Sequence, residues 1–349
     1  MSVPYVDELL SRLGLGPFDP ATVTSPRGRN DNWAGTTTSG TQVFVKQFKG
    51  AYPEARLART RALWAAGGGT VPTPKLIGAD AEHALLAFEY VANGESGAEL
   101  AADNLFDEDL CARAGTTVAA LHSVDGAGFD RSEHPLPPVA LLDALPFARY
   151  TQASAAELAM WRLLHGDEPV TQAVRALRAQ DTEAMAARGP IHGDMRLDQF
   201  LLADGTLYLT DFEEARIGDP ARDIGAFAGE WLFHAVAGIP TKLADASPLA
   251  HAPSHDEIIA TGAAEIEQHA PLVRSFFGAY LRGAPAAAAG DPELAVRAAA
   301  YAGWHMLDRM LAASENSVRL SPVNKAAAGI GRTVLLSPAE FTTSLGLEA

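Results

Sequence analysis

The chain has 349 residues, 48% hydrophobic and 20% charged, an ordinary globular composition with enough length for two lobes, each with its own core. Its 43 acidic and 27 basic residues give a net charge of −16, which argues against a nucleic-acid-binding surface and suits either solubility or a cationic substrate. One cysteine, Cys111, excludes an internal disulfide and fits a reducing cytoplasm; the first 14 residues carry Asp7 and Glu8 in place of a signal peptide's basic-flanked apolar core, and no apolar run approaches a bilayer span.

Apolar residues at Val6, Leu9, Leu10 and Leu13 predict a helix over 4–13, ended by Gly14 and Gly16-Pro17. The β-prone Thr22-Val23-Thr24, the polar run Gly28-Arg29-Asn30-Asp31-Asn32, Thr36 to Thr38, the turn Ser39-Gly40 and the strand 41–48 together predict a three-stranded meander. A polar loop separates its first two strands. In the last strand Phe44, Lys46 and Phe48 share one face, where a lysine either snorkels to water or has a task. A helix over 53–64 follows, with Pro53 in its first turn and Glu54 as its only acid; Gly67-Gly68-Gly69 break it. The run 84–91 reads as a buried strand ending at Asn93-Gly94. Beyond Glu99 the pattern is helical, over 110–122, 141–164, 170–187, 256–281, 292–311 and 322–336.

The chemistry concentrates in Pro190-Ile191-His192-Gly193-Asp194-Met195-Arg196-Leu197-Asp198-Gln199 and in Asp211-Phe212-Glu213. Apolar runs at 200–202 and 207–210 flank Ala203-Asp204-Gly205-Thr206, which predicts a hairpin with an Asp-Gly turn. Such a hairpin holds Asp194, Gln199 and Asp211 at one end. Phosphoryl transfer needs a cluster of this kind. One carboxylate orients and deprotonates an attacking hydroxyl, and hard oxygens hold Mg²⁺ against nucleotide phosphates. The spacing repeats the kinase catalytic loop, in which a metal-binding Asn follows the catalytic Asp by five positions; here that residue is Gln199. A second His165-Gly166-Asp167 has no hairpin after it and reads as a surface loop between helices.

His192-Gly193-Asp194 paired with Asp211-Phe212-Glu213 resembles the aminoglycoside phosphotransferase superfamily, which includes choline-kinase-like enzymes. The resemblance implies an α+β, two-lobed, protein-kinase-like fold. It divides the chain into a small antiparallel-sheet nucleotide lobe over 1–91 and a larger, mainly helical lobe over 92–349. It implies ATP and Mg²⁺ as cofactors, Asp194 as base, and Gln199 and Asp211 as metal ligands. Gly28 to Asn32 would cover the phosphates, matching the superfamily's Gly-Gly-x-Ser-Asn at Gly28 and Asn32 only; taken alone, the run also fits an ordinary hairpin turn. Lys46 would pair the α- and β-phosphates, with Glu54 as its helix partner, although Arg56 or Arg59 could occupy that place. Phe88 would be the gatekeeper, and the Glu89 carbonyl and Val91 N–H would meet the adenine edge. Asp223 would accept backbone N–H bonds and start a helix. His122 would be either a ligand or a hydrogen-bonded helix-end histidine.

Three residues depart from the pattern. Gln199 keeps the amide oxygen of Asn on a longer stem, as the maltokinase branch also does. Glu213 in place of Gly removes backbone freedom and, with no Ala-Pro-Glu segment, implies a site without activation-loop switching. Arg196 stands where many relatives have His; it either bridges Asp198 or Asp219 or stabilises charge at the transferred phosphoryl.

The acceptor admits three readings. Gly28-Arg29-Asn30, Trp33-Ala34-Gly35-Thr36-Thr37 and Val43-Phe44-Val45-Lys46 resemble kinase subunits of class V lanthipeptide and thioamitide pathways. That implies Ser or Thr of a ribosomally made precursor peptide as acceptor, and a separate lyase partner to eliminate the phosphate. An extended peptide needs a partly apolar groove, for which Trp231, Phe233, Trp304 and Met306 are candidates unless they are plain core. The second reading is an aminoglycoside, choline-like amine or sugar held near Glu213, Glu214, Asp219 and Glu230. The third is an inactive nucleotide-binding scaffold, against which the retained Lys46, Asp194 and Asp211 argue. No nucleic-acid or membrane partner is expected.

Overall fold

Side-chain alternation along one strand organises the N-terminal lobe. The computed structural model describes residues 4–26, 28–67, 69–182, 188–246, 253–315 and 317–348. The lobe comprises α1 (Pro4–Arg12), β1 (Asp31–Thr36), β2 (Gln42–Gln47), α2 (Pro53–Ala65), β3 (Leu76–Asp80) and β4 (Leu85–Glu89). Its sheet runs β1-β2-β4-β3, every neighbour antiparallel. Val43 and Val45 of β2 bury against Leu9 and Leu10 of α1 and Trp33. The opposite face packs Phe44 and Phe48 with Leu57 of α2, Leu86 and Phe88. A period of two therefore places Lys46 on this second face, in line with its flanking phenylalanines. The expected first strand of the meander shrinks to a single bridge, Thr24 to Ala34, and β4 and β3 complete the sheet instead.

The second lobe opens with β5 (Glu95–Ser96), α3 (Gly97–Ala102) and α4 (Glu108–His122), followed by α5 (Phe147–Gln152), α6 (Ala155–His165) and α7 (Glu168–Thr182). The short strands β6 (Gly189–Ile191), β7 (Phe200–Ala203), β8 (Thr206–Leu209) and β9 (Arg216–Gly218) come next. Helices close the chain: α8 (Ala221–Ala246), α9 (His255–Gly283), α10 (Ala286–Ala289), α11 (Leu294–Ser314), α12 (Pro322–Leu336) and α13 (Pro338–Phe341). The strands form two small ladders, β5-β7-β8 and β6-β9, set on a helical core. This is the expected α+β arrangement of a small antiparallel-sheet lobe and a larger, mainly helical one.

The predicted helix over 141–164 is broken into a 3₁₀ turn, α5 and α6. Pro146 precedes α5, and Ser154 caps α6 by accepting the Glu157 N–H at 3.0 Å. Of the helix expected over 170–187, residues 183–187 lie outside the described residues, as does Gly68 of the glycine run. The spare His-Gly-Asp lies between α6 and α7, with exposed His165 closing α6 and Asp167 held by Arg332 of α12 at 2.5 Å. No helix among the described residues is long and apolar enough to cross a membrane.

The helical core is closed by Phe227 of α8 stacked on Phe276 of α9, both fully buried with ring centroids 3.9 Å apart. Phe227→Ala should lower the unfolding free energy by about 3–5 kcal/mol, from lost transfer energy and the cavity left behind. Urea denaturation measures it, and a loss below about 1 kcal/mol would show that the stack is not a keystone of this lobe.

Candidate active site

β6 runs directly into His192-Gly193-Asp194. The carboxylate of Asp223, in the first turn of α8, faces this turn with both oxygens. Oδ2 accepts the His192 N–H at 2.6 Å and Oδ1 the Gly193 N–H at 2.9 Å. Oδ2 also meets His122 Nε2 at 3.0 Å, and His122 Nδ1 meets the Tyr280 hydroxyl at 3.0 Å. His122 is thus a hydrogen-bonded helix-end histidine. Burial opposes the charge on Asp223, but His122, His192 and the backbone donors outweigh it and hold its carboxyl below the ordinary value. Asp223 accepts backbone N–H bonds as expected, but the start of α8 is capped by Asp219, which accepts the Ala221 N–H at 3.0 Å. Gly193 has a φ of +83°, and a Cβ there would lie 2.6 Å from the Glu214 carbonyl oxygen, so only glycine fits.

Asp194 follows, 41% exposed at the mouth of a cleft of about 610 Å³ between the lobes. Arg196 Nη1 lies 3.2 Å from its carboxylate, and Arg196 Nε 2.9 Å from that of Asp198. Of the two acids expected to bridge Arg196, Asp198 does so. Asp219 does not, being buried and bound to Arg297 at 2.7 Å. Burial works against the Arg196 charge, yet Asp194, Asp198 and Glu230 keep it firmly protonated.

The β7–β8 hairpin turns at Asp204 and Gly205, both with positive φ, as the Asp-Gly turn requires. Beyond it, the Thr210 N–H and Oγ1 donate to the Gln199 carbonyl at 2.9 and 3.0 Å. His192 Nε2 sits 2.8 Å from the Thr210 carbonyl. These bonds bring Asp194, Gln199 and Asp211 to the same cleft. The Gln199 Nε2 donates to Asp198 at 3.2 Å, which leaves its amide oxygen for a cation. Asp211 sits in the left-handed region at φ 63°, which turns its carboxylate back into the cleft. An amide oxygen and a carboxylate are the hard donors that Mg²⁺ takes, so this pair fits the ion.

The nucleotide side is formed by the first lobe. Asn32, Lys46, Phe88, Glu89 and Val91 all line the cleft. Asn32 is buried and its Oδ1 has no partner among the described residues. The neighbouring Gly28 could not carry a Cβ without meeting Asn32 Nδ2 at 2.9 Å, so the loop hugs that side chain. The Glu89 and Tyr90 N–H groups are spent on Lys75 and Gln42 carbonyls, at 2.9 and 3.3 Å. The Val91 N–H takes no partner among the described residues. A free donor at the hinge, an unpaired amide oxygen and a lysine in one cleft fit a nucleotide.

The expected partner of Lys46 needs correction. Glu54 is exposed in the first turn of α2 and does not line the cleft. The carboxylates on Lys46 are Asp211, in direct contact, and Glu213, at 2.9 Å. A carboxylate in the first turn points to solvent because α2 turns Arg56, Leu57 and Thr60 inward. Arg56 instead reaches Glu213 Oε1 at 2.6 Å, and Asn30 Nδ2 reaches Glu213 Oε2 at 2.9 Å. Burial opposes the charge on Glu213, but Lys46 and Arg56 pull its carboxyl down to about 2. Burial raises the carboxyl of Asp211; Lys46 works against that rise and Glu213 with it. Glu213 and Asn30 were legible as residues but not as a pair, since 183 positions separate them.

Of the acceptor candidates only Glu213 lines the cleft, and there it is bound to Lys46 and Arg56. Trp231, Trp304 and Met306 are core, and Phe233 packs against it. Of the acids, Glu214 binds Arg216 at 2.6 Å and Arg59 at 3.6 Å, Asp219 binds Arg297, and Glu230 binds His305 at 2.7 Å.

Fold and site together define a phosphotransferase of two lobes with a cluster of carboxylates in the cleft between them. Residues 23–247 match the family model described as the phosphotransferase enzyme family. The chain belongs to that family, and it is a kinase that transfers phosphate to an alcohol group. No curated protein sequence matches it. Among solved structures it is similar to an aminoglycoside phosphotransferase from Alicyclobacillus acidocaldarius, at 15% identity and a TM-score of 0.53, covering 98% of this chain and 97% of that one. It is also similar to an amicoumacin kinase in complex with AMP-PNP, Ca²⁺ and Ami, at 15% identity, a TM-score of 0.53 and coverage of 94% and 92%. A macrolide 2'-phosphotransferase from Brachybacterium faecium gives 18% identity, a TM-score of 0.51 and coverage of 95% and 96%.

Behind the loop 192–199, Glu230 of α8 accepts the Leu197 N–H at 3.4 Å and pairs with His305 of α11. Burial opposes its charge, but His305, Arg309 and Arg196 bring its carboxyl from 4.5 down to about 2. A depressed carboxyl stabilises the fold above its unfolded value and loses that contribution as pH falls through the folded one. Glu230→Gln should therefore cost roughly 2–3 kcal/mol at pH 7 and lose less stability than wild type between about pH 4.5 and 2. Denaturant titrations at a series of pH values test this; parallel curves for both proteins would remove Glu230 from the acid response.

Proposed function

We propose that this protein moves the γ-phosphoryl of ATP, with Mg²⁺, to the hydroxyl of a small polar acceptor. In this reading residues 1–91 form the nucleotide lobe and residues 92–349 the catalytic and acceptor lobe. One observation carries it: Lys46, Asp194, Gln199 and Asp211, from three separate stretches, line one cleft. Asp194, 41% exposed in the cleft, orients the acceptor hydroxyl, taking its proton at a carboxylate oxygen as the bond to phosphorus forms. Arg196 holds that carboxylate in place through Nη1. Lys46 meets nucleotide phosphate, Asn32 and the Val91 N–H take the loop and hinge ends of the nucleotide, and Phe88 walls the base. Gln199 and Asp211 would hold Mg²⁺, which when bound neutralises charge on the phosphates. The AMP-PNP and Ca²⁺ bound to the amicoumacin kinase support nucleotide and divalent-cation use within this fold.

A small acceptor is favoured over a peptide because the aromatic residues that could line a groove are core. A Ser or Thr of a ribosomally made peptide, with a lyase partner to eliminate the phosphate, therefore rests on the first lobe's sequence alone. Asp194 and Asp198, 41% and 47% exposed around Arg196, are the acids left at the acceptor end.

The test is ATP consumption and product mass with a panel of amino sugars, amino alcohols and sugars, with a candidate precursor peptide as the comparison arm. A phosphorylated small molecule beside an untouched peptide is expected; the reverse overturns the acceptor assignment. With the accepted substrate, Asp194→Asn should keep nucleotide binding and lose about 10²–10⁴-fold in kcat. Asp211→Ala should abolish Mg²⁺-dependent turnover while the protein stays folded, and full activity in that variant would remove Asp211 from the metal site. Lys46→Ala should weaken ATP binding by on the order of 1.5–3 kcal/mol, measured by calorimetry.

A further inference from the structure

The strand lysine of a protein kinase is held by a glutamate on the following helix. In this chain that helix, α2, presents Arg56 to the site, buried, while its only acid, Glu54, faces solvent. The carboxylate comes from the opposite side. We propose that Glu213, the last residue of Asp211-Phe212-Glu213, is the positioning residue for Lys46, and that Arg56 fixes Glu213 for that task. The inference deepens the kinase reading and rests on it.

The geometry divides Glu213 between its neighbours. Oε1 takes Arg56 Nη2 at 2.6 Å, and Oε2 takes Lys46 Nζ and Asn30 Nδ2, each at 2.9 Å. Arg56 Nη2 also reaches Asn30 Oδ1 at 3.1 Å, and its Nη1 the Lys49 carbonyl at 2.6 Å. Arg59 Nε donates to the Glu213 carbonyl at 2.6 Å. One side chain therefore ties the phosphate-side loop, β2, α2 and the metal motif together. Lys46 and Arg56 stand over the same Phe48 ring, at 5.1 and 5.4 Å from its centroid. Without the carboxylate between them, two buried cations would face each other beside Asp211 alone. Lys46 would then be held only by Asp211, the carboxylate the metal needs. Glu213 gives the lysine a second partner, so Asp211 can release it when nucleotide and metal arrive. A helix-borne partner can swing away with its helix. A partner next to the metal ligand cannot, so lysine position and metal motif are set together.

The test is calorimetry of Mg²⁺·AMP-PNP binding, which needs no acceptor, on a double-mutant cycle. Glu213→Gln should weaken binding at least tenfold. In a Lys46→Met background the same change should alter affinity less than threefold, because the residue through which it acts is gone. A merely structural role would carry its full effect into that background and so overturn the inference, as would wild-type affinity in Glu213→Gln. Should Glu213→Gln not fold, Glu213→Asp keeps the charge but withdraws it by one methylene. It should weaken binding at least threefold with an unchanged melting temperature; wild-type affinity there overturns the inference. A wild-type protein that binds no Mg²⁺·AMP-PNP would overturn the kinase reading and this inference with it, whereas a wild type that binds and a cycle that shows no coupling between Glu213 and Lys46 would sink this inference alone.

Discussion

The site depends first on one buried carboxylate. Asp223 accepts two consecutive backbone N–H groups of the catalytic loop and a histidine from α4. It fixes the backbone turn that leads into Asp194. Backbone donors aimed into the protein must be satisfied, and here no strand partner is available once β6 has ended. A charge-assisted bond is stronger than a neutral one, so placing a carboxylate there stiffens the turn. Gly193 is the corollary: the chain can pass close to the Glu214 carbonyl only without a Cβ. The loop is therefore held from behind by Asp223 and from the side by Thr210, through His192.

A second carboxylate holds the other lobe. Glu213 gathers Asn30, Lys46 and Arg56, and the adjoining Glu214 pairs with Arg59 and Arg216. Both lobes are thus anchored on the few residues after Asp211. Burying so many charges is costly unless each is paired and hydrogen-bonded, and the alternation of acid and base in this cluster meets that condition. Such a cluster specifies one relative arrangement of its parts more than it adds stability. For an enzyme whose catalysis is mostly positioning, that specificity is the useful property.

Much of this was legible in the sequence where the signal was local. The Asp204-Gly205 hairpin, the alternation that sides Lys46 with Phe44 and Phe48, and the Asp194-to-Gln199 spacing depend on neighbours a few residues apart. What failed was non-local or ambiguous in period. The helix partner of Lys46 was sought on α2 because kinases place it there, and composition offers only Glu54. The partner actually present lies 167 positions further along the chain than Lys46, and no periodicity links them. The single long helix expected over 141–164 ignored Pro146 and the Ser154 cap, both visible local stops. The acids after the metal motif suggested an amine pocket because a sequence shows charges without their partners. Once folded, Asp219 and Glu230 are taken up by Arg297 and His305 of α11, 78 and 75 residues further along the chain.

Pairing also sets the polarity of the cleft. At the nucleotide end Lys46 and Arg56 are balanced by Asp211 and Glu213, so a bound metal supplies the positive charge that phosphate needs. At the acceptor end one guanidinium, Arg196, serves two half-exposed carboxylates, Asp194 and Asp198, and the balance stays negative. Set against a whole-chain charge of −16, that local excess works at short range, since salt screens beyond about 10 Å at 0.1 M. On the proposed reading, an anionic acceptor would meet repulsion at Asp194 and Asp198. A neutral or cationic one would not, and its hydroxyl would approach Asp194 while the anionic phosphates stay at the far, metal-bearing end. In that reading, negative charge around Asp194 helps keep the two substrates in separate halves of one open cleft.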